Sequence, residues 1–354
     1  MTTSDGVFVN RRAALLLGLT ASGCAFNERV PSVRRGRTED LVRWLTSVAV
    51  GESDAPLRQF MTSVDILHPV VVKVLASGAR FDFSGVQLRV PIFSKAAWGE
   101  RDAVISFFGD QFTASGIELQ AFFRSPALTG VAYVSGVGGR FYDCSLYGLG
   151  WVGLSIGGSA AGACSDTFVA NCFAGGCRFG FFGSGSSTVF RLCYATHQWS
   201  QSAEFPDGRW RPESHFYDGF VLSRGRGALL DRCVAIDCGQ SGVYVGAYEN
   251  VSIIGGEYSR NFNKGVDFGP SAPASASDVF VSGVRCLNNA TGNIHLFNVR
   301  NGRVSGCYVR DELRTFALSV DGVSKDVSWV NNDFSSSGRV VFVGDKVIRA
   351  SPEA

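Results

Sequence analysis

The chain has 354 residues, enough for one large domain or two ordinary ones, and 45% of them are apolar, so a sizeable core can form. Charged residues make up only 18%, glycine contributes 43 residues, and Val, Phe, Ser and Gly outweigh Leu, Glu and Lys; this balance favours strands and tight turns over helices. A net charge of +2, with no long basic run beyond residue 37, argues against a nucleic-acid partner.

Residues 1–24 read as an export signal. Arg11 and Arg12 precede an apolar run from Ala13 to Leu19, and small residues lead into Cys24. The run is too short to span a bilayer as a helix. The paired arginines resemble a twin-arginine export signal. The fragment "ASGC" resembles a bacterial lipoprotein processing site, in which Cys24 receives the lipid. Ala21 stands where Leu is commoner in such sites, so a plain cleaved signal stays open. The expected location is the periplasm, the membrane through an N-terminal lipid, or the exterior of a bacterium.

Residues 25–37 read as a linker, and residues 38–64 as a helical cap. Thr38 suits an N-cap, Glu39 and Asp40 suit the first turn, and Leu41, Leu45 and Val48 share one face. Such a short amphipathic helix can plug the open end of a repeat array and block edge-to-edge association.

Residues 65–354 carry a repeat. The fragments "RFYDCSLYG", "FVANCFAGG", "VFRLCYATH", "LLDRCVAID", "SIIGGEYSR", "FVSGVRCLN", "RVSGCYVRD" and "SWVNNDFSS" align on Cys144, Cys172, Cys193, Cys233, Gly256, Val284, Cys307 and Asn332. The spacings are 28, 21, 40, 23, 28, 23 and 25 residues. Between these anchors fall short strands, most opening at or near glycine: "VGLSIGG", "FGFFGSG", "DGFVLSR", "SGVYVGA", "KGVDFGP", "GNIHLFN" and "FALSVDG". Short strands recurring about every 25 residues without helices between them are the pattern of a parallel β-helix. The predicted fold class is therefore all-β, a parallel β-helix (solenoid) with a short N-terminal capping helix.

This grammar resembles the right-handed, pectate-lyase-like parallel β-helix superfamily of polysaccharide lyases, hydrolases and uronate epimerases, over about residues 80–345. The Asp-Pro-His motif of the mannuronan epimerases is absent from the chain. Ten cysteines in an exported protein would suggest disulfides. The repeat instead places Cys144, Cys172, Cys193, Cys233 and Cys307 in an inward ladder of small apolar residues, with a disulfide among them left open. No CxxC pair points to zinc, and no DxDxD-type cluster indicates calcium, which is left open; no cofactor is expected.

Strand alternation puts Ser155, Phe182, Val221, Tyr244, Asp267, His295 and Ser319 in one exterior column. Tyr244, Asp267 and His295 then stand on consecutive rungs about 4.8 Å apart, a tyrosine, a carboxylate and an imidazole able to handle protons. The 40-residue interval holds an insertion at 196–218 that precedes the strand at Gly219–Leu222. Its Trp199, Trp210 and Tyr217 suit stacking on sugars, and Arg209, Arg211 and His215 suit carboxylates.

The reading is an exported protein acting on an acidic polysaccharide, as a lyase or C5-epimerase of a uronic-acid polymer. His295 is expected to be the base, Asp267 to orient it and Tyr244 to donate the proton. Arg209, Arg211 or Lys264 would neutralise the substrate carboxylate. Two alternatives stay open. A glycoside hydrolase would need a second carboxylate from a turn, such as Asp218 or Asp321. A glycan-binding or structural surface protein would need no chemistry.

Overall fold

The computed structural model describes residues 34–99, 101–121, 128–157, 163–196, 218–269, 276–312, 315–321, 324–334, 340–343 and 346–349. The chain from Arg34 onward is a parallel β-helix. Each coil passes through three faces, here called sheets B, C and A in chain order. Sheet A is an eleven-stranded parallel ladder, and sheets B and C run into one another round a corner as 23 strands. One coil shows the pattern: Val243–Val245 in sheet B, Tyr248–Ile254 in sheet C and Glu257–Ser259 in sheet A.

The repeat anchors mark one corner. The residue before each anchor is left-handed: Asp143, Asn171, Leu192, Arg232, Gly255, Gly283, Gly306 and Asn331, with φ between 51° and 63°. One left-handed residue turns the chain from sheet C to sheet A and aims the next side chain inward. Asp, Asn and Gly take this conformation cheaply, whereas Leu192 and Arg232 take it at a steric cost. The anchors stack as aligned, because each anchor carbonyl accepts from the coil after it. Phe173 N–H donates to Cys144 O at 2.7 Å, Tyr194 to Cys172 at 2.8 Å and Val234 to Cys193 at 2.8 Å. Glu257, Arg285, Tyr308 and Asp333 donate in turn to Cys233, Gly256, Val284 and Cys307.

All nine cysteines of the solenoid are free and buried. The Cys193 thiol donates to Arg191 O at 3.4 Å, and that of Cys233 to Phe190 O at 3.3 Å. Burial pushes the Cys172 and Cys193 thiols well above the usual range. At the last anchor Asn332 replaces the thiol, and its Oδ1 accepts from Cys307 N–H at 2.9 Å.

The interior changes along the axis. Phe81, Phe107, Phe112, Tyr133 and Phe141 fill the early coils, with Phe107 and Phe112 stacked at 5.0 Å. Further on, the inward column that starts at Phe107 and Tyr133 continues through Leu222, Val245, Phe268 and Leu296. Where sheet A approaches sheet B, glycines lie at or next to the start of several sheet-B strands, since the backbone there lies against the opposite wall. A Cβ on Gly265 would sit 2.8 Å from Cys286 Sγ and 2.9 Å from Asn289 Nδ2. The same corner holds an amide ladder. Asn261 Oδ1 accepts from Cys238 N–H and Asn289 Oδ1 from Asn261 N–H, each at 3.0 Å.

Helix α1 (Thr38–Ala49) buries Leu41, Trp44, Leu45 and Val48 against the first coils. The indole of Trp44 meets Phe81 and Phe83 edge-on at 6.2 and 5.0 Å. Thr38 is the first helical residue rather than the N-cap. Its hydroxyl donates to Asp65 O at 3.2 Å and accepts from Leu67 N–H at 2.9 Å, tying α1 to the next strand. Asp40 Oδ2 accepts from Arg37 N–H at 3.0 Å and so supplies the cap. Arg35–Arg37, assigned by sequence to the linker, pairs in parallel with Ser63–Asp65 and begins sheet A. Among the described residues no helix is long and apolar enough to cross a membrane.

Candidate functional site

The register of sheet B sets the outward column. Ser155 pairs with Phe182, Phe182 with Val221, and Val221 with Tyr244. Tyr244 pairs with Asp267, Asp267 with His295, and His295 with Ser319. Tyr244, Asp267 and His295 therefore stand side by side on three adjacent strands: Val243–Val245, Lys264–Phe268 and Gly292–Phe297.

The column is not the open, solvated row that alternation suggests. Asp267 is 4% exposed, Ser319 3% and His295 9%. Neighbours on the same face cover them. The His295 ring packs against Phe297 and Phe316 at centroid distances of 5.9 and 6.2 Å. The Tyr244 ring lies over Gly269, where a Cβ would come within 2.3 Å of it. A buried charge is costly unless it is paired and hydrogen-bonded.

The pairing is extensive. His295 Nδ1 lies 2.7 Å from Asp267 Oδ1, and His295 Nε2 lies 3.0 Å from Asp321 Oδ2. Both ring nitrogens thus face carboxylates, and a nitrogen that carries a proton donates to the carboxylate it faces. Ser319 Oγ donates to Asp321 Oδ2 at 2.6 Å. Asp267 Oδ2 faces Lys264 Nζ and Ser241 Oγ, both at 3.4 Å. Lys264 is the first residue of its strand, and its ammonium is directed at Asp267. Its remaining hydrogens leave capacity for a second anion.

Asp218 and Asp321, assigned to turns by sequence, are the first and last residues of sheet-B strands. Asp218 is 3% exposed and accepts from Ser241 N–H at 2.8 Å. Burial pushes its carboxyl up to about 7, the Asp267 charge adds to this, and the Ser241 bond, Arg178 and Lys264 oppose it. Asp321 is the open end of the network. Its side chain is 34% exposed, against 11% for His295, 6% for Asp267 and 17% for Lys264.

The arrangement orients an imidazole, holds the Lys264 ammonium beside its carboxylate partner and, among the described residues, is most open at Asp321, on the Nε2 side. As a pair, Asp267 and Asp321 do not suit glycosidic cleavage, because two such carboxyls must flank the scissile bond. Here the imidazole fills the space between them. Ser241, just before the strand Val243–Val245, carries no sequence signal beyond being polar, and the column position of Ser319 was its one available cue. Trp199, Arg209, Trp210, Arg211, His215 and Tyr217, and the lipidation candidate Cys24, lie outside the described residues. No group of three or more His, Cys, Asp or Glu among the described residues is arranged to hold a metal ion.

Comparison with known proteins agrees with the architecture. Residues 213–351 fit the sequence model of a family described as a right handed beta helix region. The Dettilon tailspike protein gp208 shares the fold at 14% identity and a TM-score of 0.58, over 79% of this chain and 60% of that one. The A-module of the Azotobacter vinelandii mannuronan C-5 epimerase AlgE6 does so at 11% identity and a TM-score of 0.50, over 91% and 97%. The chain thus spans only about 60% of the tailspike's length. No curated protein matches the sequence. At these identities the likeness establishes the fold, a right-handed parallel β-helix, and not a reaction.

Proposed function

We propose that the protein acts on a polysaccharide containing uronic acid, as a lyase or C5-epimerase that removes the proton beside the sugar carboxylate. The reading rests on one observation: the 2.7 Å contact of His295 Nδ1 with Asp267, on the same outward column as Tyr244. Asp267 fixes the ring so that Nε2 faces the open side. Substrate displaces the half-exposed Asp321, and Nε2, having passed its proton to that carboxylate, accepts the C5 proton. Lys264 and the loop residues Arg209 and Arg211 offset the carboxylate charge that grows as the carbanion forms. Tyr244 returns a proton to the leaving oxygen or to the opposite face. Trp199, Trp210 and Tyr217 stack on sugar rings, and His215 adds a polar contact. A mannuronan C-5 epimerase of the same fold makes this chemistry compatible with the scaffold.

Panels of alginate and pectate test the proposal. Unsaturated ends or an altered uronate ratio, lost in His295→Gln and Tyr244→Phe variants that still melt cooperatively, support it. Unchanged activity in both variants removes it. A hydrolase reading is favoured by Asp218, whose carboxyl is pushed up to about 7 beside Asp267 and so supplies an acid near a carboxylate. New reducing ends without unsaturation would select it. Tight binding with none of these products would leave a glycan-binding protein. The proposal extends to export with a lipid on Cys24, tested by fatty-acid labelling that Cys24→Ser abolishes.

A further inference from the structure

One carboxylate oxygen, Asp321 Oδ2, is the meeting point of two buried groups. Ser319 Oγ donates to it at 2.6 Å, and His295 Nε2 faces it at 3.0 Å. Ser319 and His295 are adjacent rungs of the outward column, 3% and 9% exposed. The carboxylate they share is half-exposed, with 34% of its side chain open to solvent. Phe297, which pairs with Asp321 across the ladder, and Phe316 pack against the imidazole at 5.9 and 6.2 Å. Two buried polar groups, with aromatic rings beside them, thus end on a carboxylate at their open side.

That carboxylate is lightly held. Asp321 ends its strand, where Asn298 N–H reaches Asp321 O only at 3.4 Å. Among the described residues its Oδ1 makes no hydrogen bond, so Oδ2 alone ties the carboxylate down. Rotation of the side chain outward leaves Ser319 Oγ without an acceptor, and a buried donor in that state costs free energy. A second carboxylate restores both the acceptor and the negative charge. A neutral hydroxyl restores only the acceptor, and its hydrogen bond is the weaker one.

We infer that Asp321 is a built-in stand-in for the substrate, and that Ser319 Oγ is the donor that binds the sugar carboxylate once Asp321 swings out. The inference rests on the proposed action on a uronate polymer, and it adds the residue that selects free carboxylates over esterified or neutral sugars. In a uronate, C5 is the carbon that bears the carboxylate. A substrate oxygen in the place of Asp321 Oδ2 therefore brings C5–H to the Nε2 side of the imidazole. A methyl ester keeps an oxygen for Ser319 but has no negative charge, so the pocket binds it less tightly.

The test is calorimetric titration of the full chain with trimers of galacturonate and mannuronate, their methyl esters, and a neutral glucan trimer. Asp321→Ala should bind a free uronate trimer at least ~10-fold more tightly than the wild type, because no internal carboxylate competes. Asp321→Asn should gain less, since its amide oxygen still accepts from Ser319. Adding Ser319→Ala to Asp321→Ala should remove most of the gain. Neither the methyl esters nor the glucan should gain. Melting curves confirm that each variant is folded, and acetate should raise the melting temperature of Asp321→Ala but not of the wild type. Uronate affinity unchanged or reduced in both Asp321 variants, or an equal gain for esters and glucan, overturns the inference. A gain for free uronate without exchange of the C5 hydrogen keeps the carboxylate pocket and removes the catalytic reading. C5 exchange by the wild type, with no gain in either Asp321 variant, keeps that reading and removes the stand-in. No uronate binding by any form removes both.

Discussion

Replacing Asp218 by Asn isolates the linkage between the buried network and stability. The carboxyl is 3% exposed, and burial raises it from 3.8 to about 7. At a pH between those values the folded chain holds a proton that the unfolded chain has released. Stability from this group is therefore complete below about pH 4 and declines until the pH passes about 7. A shift of about three units at about 1.4 kcal/mol each amounts to about 4 kcal/mol across the window. Asn keeps an oxygen for the Ser241 N–H and cannot ionise. Urea unfolding of wild type and Asp218→Asn at several pH values between 4 and 8 reads the difference directly, and other titrating groups cancel in the comparison. The variant should gain on the wild type by a few kcal/mol as pH rises, with the change centred between pH 4 and 7. A difference that stays flat, or that grows in the opposite direction, refutes the argument that burial dominates at Asp218.

Further outcomes follow from the corners and the core. Leu192 is 50% exposed and left-handed at φ 52°, so Leu192→Asn should stabilise by about 1 kcal/mol in denaturant titrations. Asn261→Ala leaves the buried Cys238 N–H without its acceptor and breaks the amide ladder; a loss of about 2–3 kcal/mol is expected in the same assay. Gly265→Ala forces a methyl against Cys286 and Asn289, and a lowered melting temperature with about 1–3 kcal/mol lost should result. In a Cys24→Ser background the nine buried thiols should resist a disulfide reagent at pH 8 until denaturant is added, and rapid labelling of any one in the native protein would contradict the packing.

The repeat was legible because its physical demands recur in identical form. Each coil needs a left-handed residue followed by a small or apolar inward side chain, and Asp143–Cys144, Asn171–Cys172 and Gly306–Cys307 meet that need in plain view. The column of Tyr244, Asp267 and His295 was legible because alternation within short strands fixes the face once the anchors fix the register. Its burial was not legible. The covering groups, Phe297, Phe316 and Asp321, come from other positions of the same face and carry no periodic signal. The same limit hid Ser241 and the burial of Asp218, whose contacts run between coils rather than along the chain. The strand Arg35–Arg37 escaped notice because three residues centred on a glycine offer no alternation.

The central claim is proton abstraction by His295, and the fate of the C5 hydrogen tests it most directly. Lyase and epimerase share that first step. Polymannuronate and pectate incubated with the protein in deuterated water should lose the C5 proton signal, either to deuterium at that carbon or to an unsaturated product. The loss should be absent with folded His295→Gln and slowed with Tyr244→Phe. A C5 proton retained in both polymers with wild-type protein, or lost equally fast with His295→Gln, would contradict the account.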